Sequence, residues 1–392
     1  MRPIPATPVH LRPVAAGILA LAAAMGIGRF AYTPILPAML AAGGLDTAQA
    51  GLLASANYAG YLAGALLAAF AVPPAARVHA VRVCAVGVVA TTALMAVASG
   101  LAAWSVVRFV AGIASAGVFV LASDLVLDDL RRQGRASSSG WLFTGIGLGI
   151  ATSGVVVGAT GDAVGWRGDW ALLALLAAAA FLPSWRWLPR GDADAITTEA
   201  TPPVASARRS AFGLLFAAYF LEGAGYIVTG TFLVAIVERM PGLAGLGAGV
   251  WIVVGLAVIP STVLWTALAG RIGYASALAA AYALQACGII LPLAGGAAAA
   301  LASAILFGGT FAGISGLTVT LAGHLAPRRS AGLIGLLTAV FGVGQVIGPL
   351  LAGFVAGRAR GFEPALVGAS VVVLIGGALM VALRPFDPLR RG

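Results

Sequence analysis

The chain has 392 residues, 60% of them hydrophobic and only 9% charged, and its 23 basic residues against 13 acidic ones give a formal net charge of +10. So much apolar material, with a mean hydropathy of +1.01, exceeds what a soluble domain of this length needs and points to a polytopic helical membrane protein. The positive balance does not indicate nucleic-acid readout, because every basic residue is an arginine and most sit in short hinges between apolar runs, where they set topology.

Hydropathy predicts twelve spans at about residues 14–38, 49–71, 81–101, 103–126, 137–158, 169–189, 211–236, 246–269, 275–295, 297–322, 331–356 and 364–384. Arg2 and Arg12 before an apolar run imitate a secretory leader, but the run continues past Arg29 without a polar cleavage region, so it reads as the first span. Within it stands the stretch Gly26-Ile27-Gly28-Arg29-Phe30-Ala31-Tyr32-Thr33-Pro34-Ile35-Leu36-Pro37. An arginine near the middle of a bilayer costs from about 3 to more than 10 kcal/mol if it faces lipid. Arg29 is therefore expected to face a bundle interior or a watery cavity, beside an anion or a carboxylate, or else to act as a buried staple between helices. The second span carries Ala54-Ser55-Ala56-Asn57-Tyr58-Ala59-Gly60-Tyr61-Leu62-Ala63-Gly64. The fourth carries Arg108, which is placed either to line a cavity or to snorkel to the interface, and ends in Asp124, Asp128, Asp129, Arg131, Arg132 and Arg135. Sixteen residues of helix, about 24 Å, separate Arg108 from Asp124, so the two cannot pair along their own helix. Asp124 and Arg131 read instead as part of a cytoplasmic gate or interfacial charge cluster; His324, at the matching end of span 10, reads as an interfacial loop histidine, with a place in that gate as the alternative.

The connector 190–210, with Asp192, Asp194, Glu199, Pro202 and Pro203, reads as a cytoplasmic linker between an N-terminal six-helix bundle (1–189) and a C-terminal one (211–392). Seventeen arginines fall on one side of the predicted spans and four on the other, with Arg29 and Arg108 inside, which places both termini in the cytoplasm. The halves echo each other. Gly26-Ile27-Gly28-Arg29 aligns with Gly223-Ala224-Gly225-Tyr226, and the pairs Gly145/Gly149 and Gly154/Gly158 match Gly344/Gly348 and Gly353/Gly357 as faces that let helices cross closely. Two repeats of six spans are the signature of a two-bundle transporter with a midplane site.

On residues 26–37, 54–64 and Gly344-Gln345-Val346-Ile347-Gly348-Pro349, the chain resembles the major facilitator superfamily, and more narrowly its YbfB/YjiJ-type branch. That resemblance implies an all-α fold of twelve transmembrane helices in two pseudo-symmetric bundles, alternating access, and proton coupling, without implying a substrate. Arg108-Phe109-Val110-Ala111-Gly112 is similar to an Arg-x-x-x-Gly element linked with proton coupling in antiporters. The charged loop usual between spans 2 and 3 is reduced to Pro73-Pro74-Ala75-Ala76-Arg77, and its counterpart between spans 8 and 9 to Gly270-Arg271-Ile272-Gly273.

Glu222, in the middle of span 7 between Tyr219 and Tyr226, is costly in lipid unless protonated or paired. It is the candidate proton carrier or cation-binding group, with Arg29 across a shared cavity as its counter-charge or as the anchor of an anionic substrate; the alternative is a static pair joining the bundles. Arg29, Asn57, Tyr58, Tyr226 and Gln345 form the candidate substrate-binding set, and Glu222 and Arg108 the proton-coupling set. No phosphate loop, no His/Cys metal spacing and no catalytic constellation is present, so no cofactor, metal or enzyme activity is expected. Cys84 and Cys287 read as small packing residues. The sequence thus predicts a monomeric secondary active transporter in the bacterial inner membrane, moving a small organic molecule, with proton-coupled efflux preferred. The alternatives are a uniporter or importer of a small organic acid and, in a different class, a non-transporting membrane sensor.

Overall fold

The computed structural model describes residues 11–189, 206–325 and 330–390; most of the expected linker 190–210 lies outside the described residues. The regular secondary structure of those residues is entirely helical. The elements are α1 (Leu11–Leu21), α2 (Tyr32–Ala41), α3 (Thr47–Phe70), α4 (Arg77–Val97), α5 (Leu101–Arg132), α6 (Thr144–Trp187), α7 (Ser206–Glu238), α8 (Gly247–Ile272), α9 (Tyr274–Ile290), α10 (Gly296–Leu325), α11 (Ser330–Ala359) and α12 (Glu363–Leu383). A π-helical turn, Ala22–Ile27, joins α1 to α2 within one apolar stretch, Arg12–Ala41.

Eleven helical stretches among the described residues are long and apolar enough to cross a membrane. The count differs from twelve because the expected spans 5 and 6 run on as one stretch, Gly140–Trp187. A straight helix of the 44 residues of α6 would be about 66 Å long, twice a bilayer's hydrocarbon core. The chain breaks it at Gly165, whose φ of 67° and ψ of 174° only glycine adopts readily. Around the break, Asp169 accepts a bond from Thr160 Oγ1 at 2.8 Å, and Arg167 donates to Ala96 O at the end of α4 at 2.7 Å.

Helices are the available solution because in hydrocarbon every backbone polar group must be satisfied within the chain. Large apolar side chains point outward, with Phe70, Val97, Leu175 and Leu182 each about 70% exposed, an outer surface suited to lipid. The interior is closed by small residues. A side chain on Gly26 would fall on the backbone of Gly149, and one on Gly112 on the carbonyl of Asn57. In the second half Gly223, Gly344 and Gly348 play the same part between α7 and α11. Gly154 and Gly158 face α8, and Gly353 faces Gly51 of α3, so the glycine faces read from the sequence are helix crossings. α3 packs on α5 and α11, α6 on α1, α4 and α8, α7 on α11 and α12, and α9 on α10 and α12. The contacts α3–α11 and α6–α8 thus tie the first six elements to the last six.

Candidate functional site

The site begins with a fault in a helix. Gly28 and Phe30 donate their N–H groups five residues back, to Ala23 O and Met25 O at 2.8 and 3.0 Å, and Thr33 donates only three back, to Phe30 O. Pro34 and Pro37 contribute no N–H at all. The carbonyls of Gly28 and Arg29 are left without their usual helical donors. Arg108 of α5 takes them, Nη1 to Gly28 O at 3.4 Å and Nη2 to Arg29 O at 3.1 Å, while its guanidinium lies over the Tyr32 ring at 4.9 Å. Arg108 is 1% exposed: it neither snorkels nor opens to a cavity but holds the broken helix in shape. π-type distortions of this kind concentrate at functional sites.

The fault turns Arg29 across the interface between the two groups of helices. Its Nη2 donates to Gln345 Oε1 of α11 at 2.9 Å, and Gln345 Nε2 in turn donates to the Tyr226 hydroxyl of α7. The guanidinium carbon lies 3.8 Å from the Tyr61 ring centre, 4.9 Å from Tyr58 and 5.2 Å from Phe30. Tyr226 belongs to a set of nearly parallel rings: Phe341 at 5.5 Å and 13°, Phe311 at 5.7 Å and 18°, Phe307 at 6.1 Å and 19°, with Tyr219 stacked on Phe341 at 4.3 Å. Arg29 therefore faces the protein interior, as its cost in lipid requires. It does not face an open watery chamber, being 3% exposed and enclosed by rings, and its Nε makes no hydrogen bond within the protein.

Of the five residues read as substrate-binding, the structure brings four together: Arg29, Tyr58, Tyr226 and Gln345. Asn57 points elsewhere, its Nδ2 donating to Arg108 O at 2.8 Å and so tying α3 to α5. Tyr61 and the phenylalanines of α10 and α11 are additions. Their signal was in the sequence, Tyr58/Tyr61 and Phe307/Phe311 being spaced three and four apart on single helix faces.

Glu222 and Arg29 are not an ion pair. The acid is 1% exposed and lies among Tyr219, Tyr226, and Tyr282 and Gln285 of α9, within its own group of helices. Its Oε2 and both amide atoms of Gln285 lack well-formed hydrogen bonds. Tyr226, one turn along α7 from Glu222, lies within electrostatic reach of both the acid and the guanidinium.

The two ends of the interface differ. Toward one end and the middle, side chains bond across it: Thr33 Oγ1 to Gly230 O at 2.5 Å, Ser55 Oγ to Val346 O at 2.7 Å, and Trp251 Nε1 to Ser153 Oγ at 3.2 Å. Tyr58 and Thr231 share a longer contact of 3.5 Å. The end carrying Asp124 and His324 holds partly exposed ion pairs of the first half. Asp124 pairs there with Arg77 at 2.5 Å, and Asp128 with Arg132 at 2.8 Å and Arg131 at 3.9 Å, all within the first half. His324 bonds the carbonyl of Thr320 on its own helix. Among the described residues no group of His, Cys, Asp and Glu is arranged to hold a metal ion.

The sequence matches, over residues 21–381, the family model described as "Uncharacterised MFS-type transporter YbfB". No curated protein sequence matches it. Among solved structures it is similar to a mutant of the nucleoside transporter NupG, at 15% identity and TM-score 0.73 over 95% of this chain and 98% of that one. It is also similar to a bacterial homologue of the human lysosomal transporter Spinster in an inward-facing, unoccupied conformation, at 18% identity and TM-score 0.69 over 97% and 98% of the chains. The human organic anion transporter MFSD10 follows at 18% identity and TM-score 0.63, over 95% and 100%. At such identities these likenesses establish the fold alone.

Proposed function

Since the chain belongs to the YbfB-type family of major facilitator superfamily transporters, we propose that it is a secondary active transporter of a small organic anion, which Arg29 holds at the midplane. The observation that carries this reading is an excess of buried positive charge. Arg29 and Arg108 are both enclosed and adjacent, and no carboxylate among the described residues is paired with either. Removing an ion from water costs several kcal/mol even after relaxation, unless a partner of opposite charge is supplied. A guanidinium with an unused N–H, set beside parallel rings, suits a carboxylate attached to a flat or apolar body.

In this reading α6 crosses the membrane twice, which makes twelve crossings. The two bundles, residues 1–189 and 211–392 with the linker 190–210 between them, are pseudo-symmetric copies. The recurrence of packing pairs supports it: α3–α5 with α8–α10, α1–α6 with α7–α11, α4–α6 with α9–α12. Both termini lie in the cytoplasm of a bacterial cell, the chain works as a monomer in the inner membrane, and the end closed by Thr33 and Gly230 faces outward. Asp124 and Arg131 belong to the inner gate, where exposed pairs break at little cost. Glu222 carries the coupling proton, and Tyr226, adjacent to both acid and arginine, links its protonation to occupancy of the site. Arg108 serves coupling indirectly, by fixing the carbonyl groups beside Arg29. The ring set is also what supports a second reading, proton-coupled export of an amphipathic compound.

The test is counterflow in proteoliposomes with a panel of labelled organic anions, cations and neutral compounds. Exchange restricted to anions, and lost in Arg29→Ala, is the expected result. Equal exchange of a neutral amphipath by both proteins would leave the export reading standing and remove this one.

A further inference from the structure

A second cluster of arginines lies far along the chain from Arg29, at the Gly270-Arg271-Ile272-Gly273 turn. α8 ends at Ile272 and α9 begins at Tyr274, and the reversal between them uses Gly273 at φ 89°. The N-terminus of α9 is pinned by Asp387 from beyond α12, whose Oδ2 accepts Ala275 N–H at 2.7 Å and whose Oδ1 accepts Leu389 N–H at 3.1 Å. Between these pieces is a cavity of about 430 Å³ lined by Arg271, Arg384, Ser276, Gly273, Ile272 and Leu389 among others.

Two polar atoms facing this space are unsatisfied. Ser276 is 7% exposed and its hydroxyl makes no hydrogen bond within the protein; the buried Nε of Arg384 makes none either. A buried polar group left unpaired costs about 1–3 kcal/mol, so both call for an acceptor. Two guanidiniums line the cavity, and the carboxylate of Asp387, which pins the start of α9, is engaged by two backbone N–H groups. The positive end of the α9 dipole adds to the same field.

We infer that this cavity binds a phosphate-type anion through Arg271, Arg384 and Ser276, with the headgroup of an anionic phospholipid as the favoured occupant. Arginine forks match phosphate oxygens in pairs, and the serine hydroxyl supplies a neutral donor. The rim favours a lipid over a free ion. Ile272 and Leu389 are 40% and 47% exposed and line the same cavity, offering apolar contact to a glycerol backbone and the start of an acyl chain. A headgroup seated there joins the end of α8, the start of α9 and the segment after α12, and so stabilises the second half independently of the transport site.

The experiment is thermal unfolding of the purified full-length protein in detergent, with phosphatidylglycerol, phosphatidylcholine or inorganic phosphate added. Phosphatidylglycerol should raise the midpoint by a few degrees over phosphatidylcholine by mass action, and the rise should vanish in R271Q/R384Q and shrink in S276A. A rise given by inorganic phosphate alone, and lost in the same variants, supports the anion site with the free ion as occupant. Equal midpoints in all three additions, or a phosphatidylglycerol effect that survives in R271Q/R384Q, would overturn the proposal. Native mass spectrometry of the unaltered protein gives a reading free of folding effects. Preferential retention of a phosphatidylglycerol over a phosphatidylcholine supports the site, and indifference between them contradicts it.

Discussion

The first apolar stretch packs on α6 and α7 packs on α11; each carries a buried charge, Arg29 or Glu222, yet they treat it in opposite ways. The first stretch is broken: a π-turn, two prolines and an arginine from α5 hold its backbone out of register, and Arg29 emerges across the interface onto Gln345 and three rings. α7 is unbroken, and Glu222 stays among tyrosines and an amide of its own half with one oxygen unbonded. A cation presented between two bodies can recognise something that enters between them. A carboxyl group kept within one body exchanges a proton without meeting the substrate. In the proposed reading the difference separates recognition from coupling, and the substitutions below test that separation.

Glu222→Gln should have the largest effect. It removes the buried carboxyl near the site while preserving shape, so accumulation driven by a pH gradient should fall to background, with exchange of substrate for substrate retained; loss of both together would merge the two roles. Arg29→Lys comes next. It keeps the charge but loses the planar fork and the stacking on Tyr61, and truncating a hydrogen-bonded buried charge contact costs about 2–5 kcal/mol. Binding weakened by at least tenfold, with proton coupling intact in whatever transport remains, is the expected outcome of equilibrium titration.

Tyr226→Phe cuts the link between the two regions at the price of one hydrogen bond, about 1 kcal/mol or a few-fold in affinity. Its distinctive consequence is that substrate binding should lose its pH dependence even though both charged residues remain. Thr33→Val removes the bond to Gly230 and should shift the balance of conformations by a few-fold toward opening at that end, read by spin-label distances between α2 and α7. Asp124→Asn should change stability by less than about 1 kcal/mol, since its partner Arg77 is partly exposed; a collapse of folding would show that the pair is more than a gate contact.

Much of this was legible in the sequence, and the reason is the bilayer. Lipid forces long apolar helices and makes buried charges rare, so Arg29, Arg108 and Glu222 were conspicuous before any fold was known. Glycine spacings gave the crossings because close approach leaves no room for a side chain. What stayed hidden depended on rotation about helix axes and on backbone irregularity. Asn57 sits beside Tyr58 in sequence, yet one turns to α5 and the other to the arginine. Glu222 belongs to the right helix but looks toward α9. The donors lost in the first stretch, which decide where Arg108 goes, follow from a π-turn that no hydropathy pattern marks. Gly165, one glycine among 54, carries the break that hydropathy placed as a gap between two spans.

The central claim is that a buried, uncompensated guanidinium selects a negative charge. It is tested most directly by measuring, on the unaltered protein, the affinity for an aromatic carboxylic acid that it exchanges and for the methyl ester of the same acid. Shape is nearly constant between the two and only the charge is lost. Binding of the acid at least about tenfold tighter, a difference of about 1.4 kcal/mol, is the predicted result; an ester bound as tightly as the acid would contradict it.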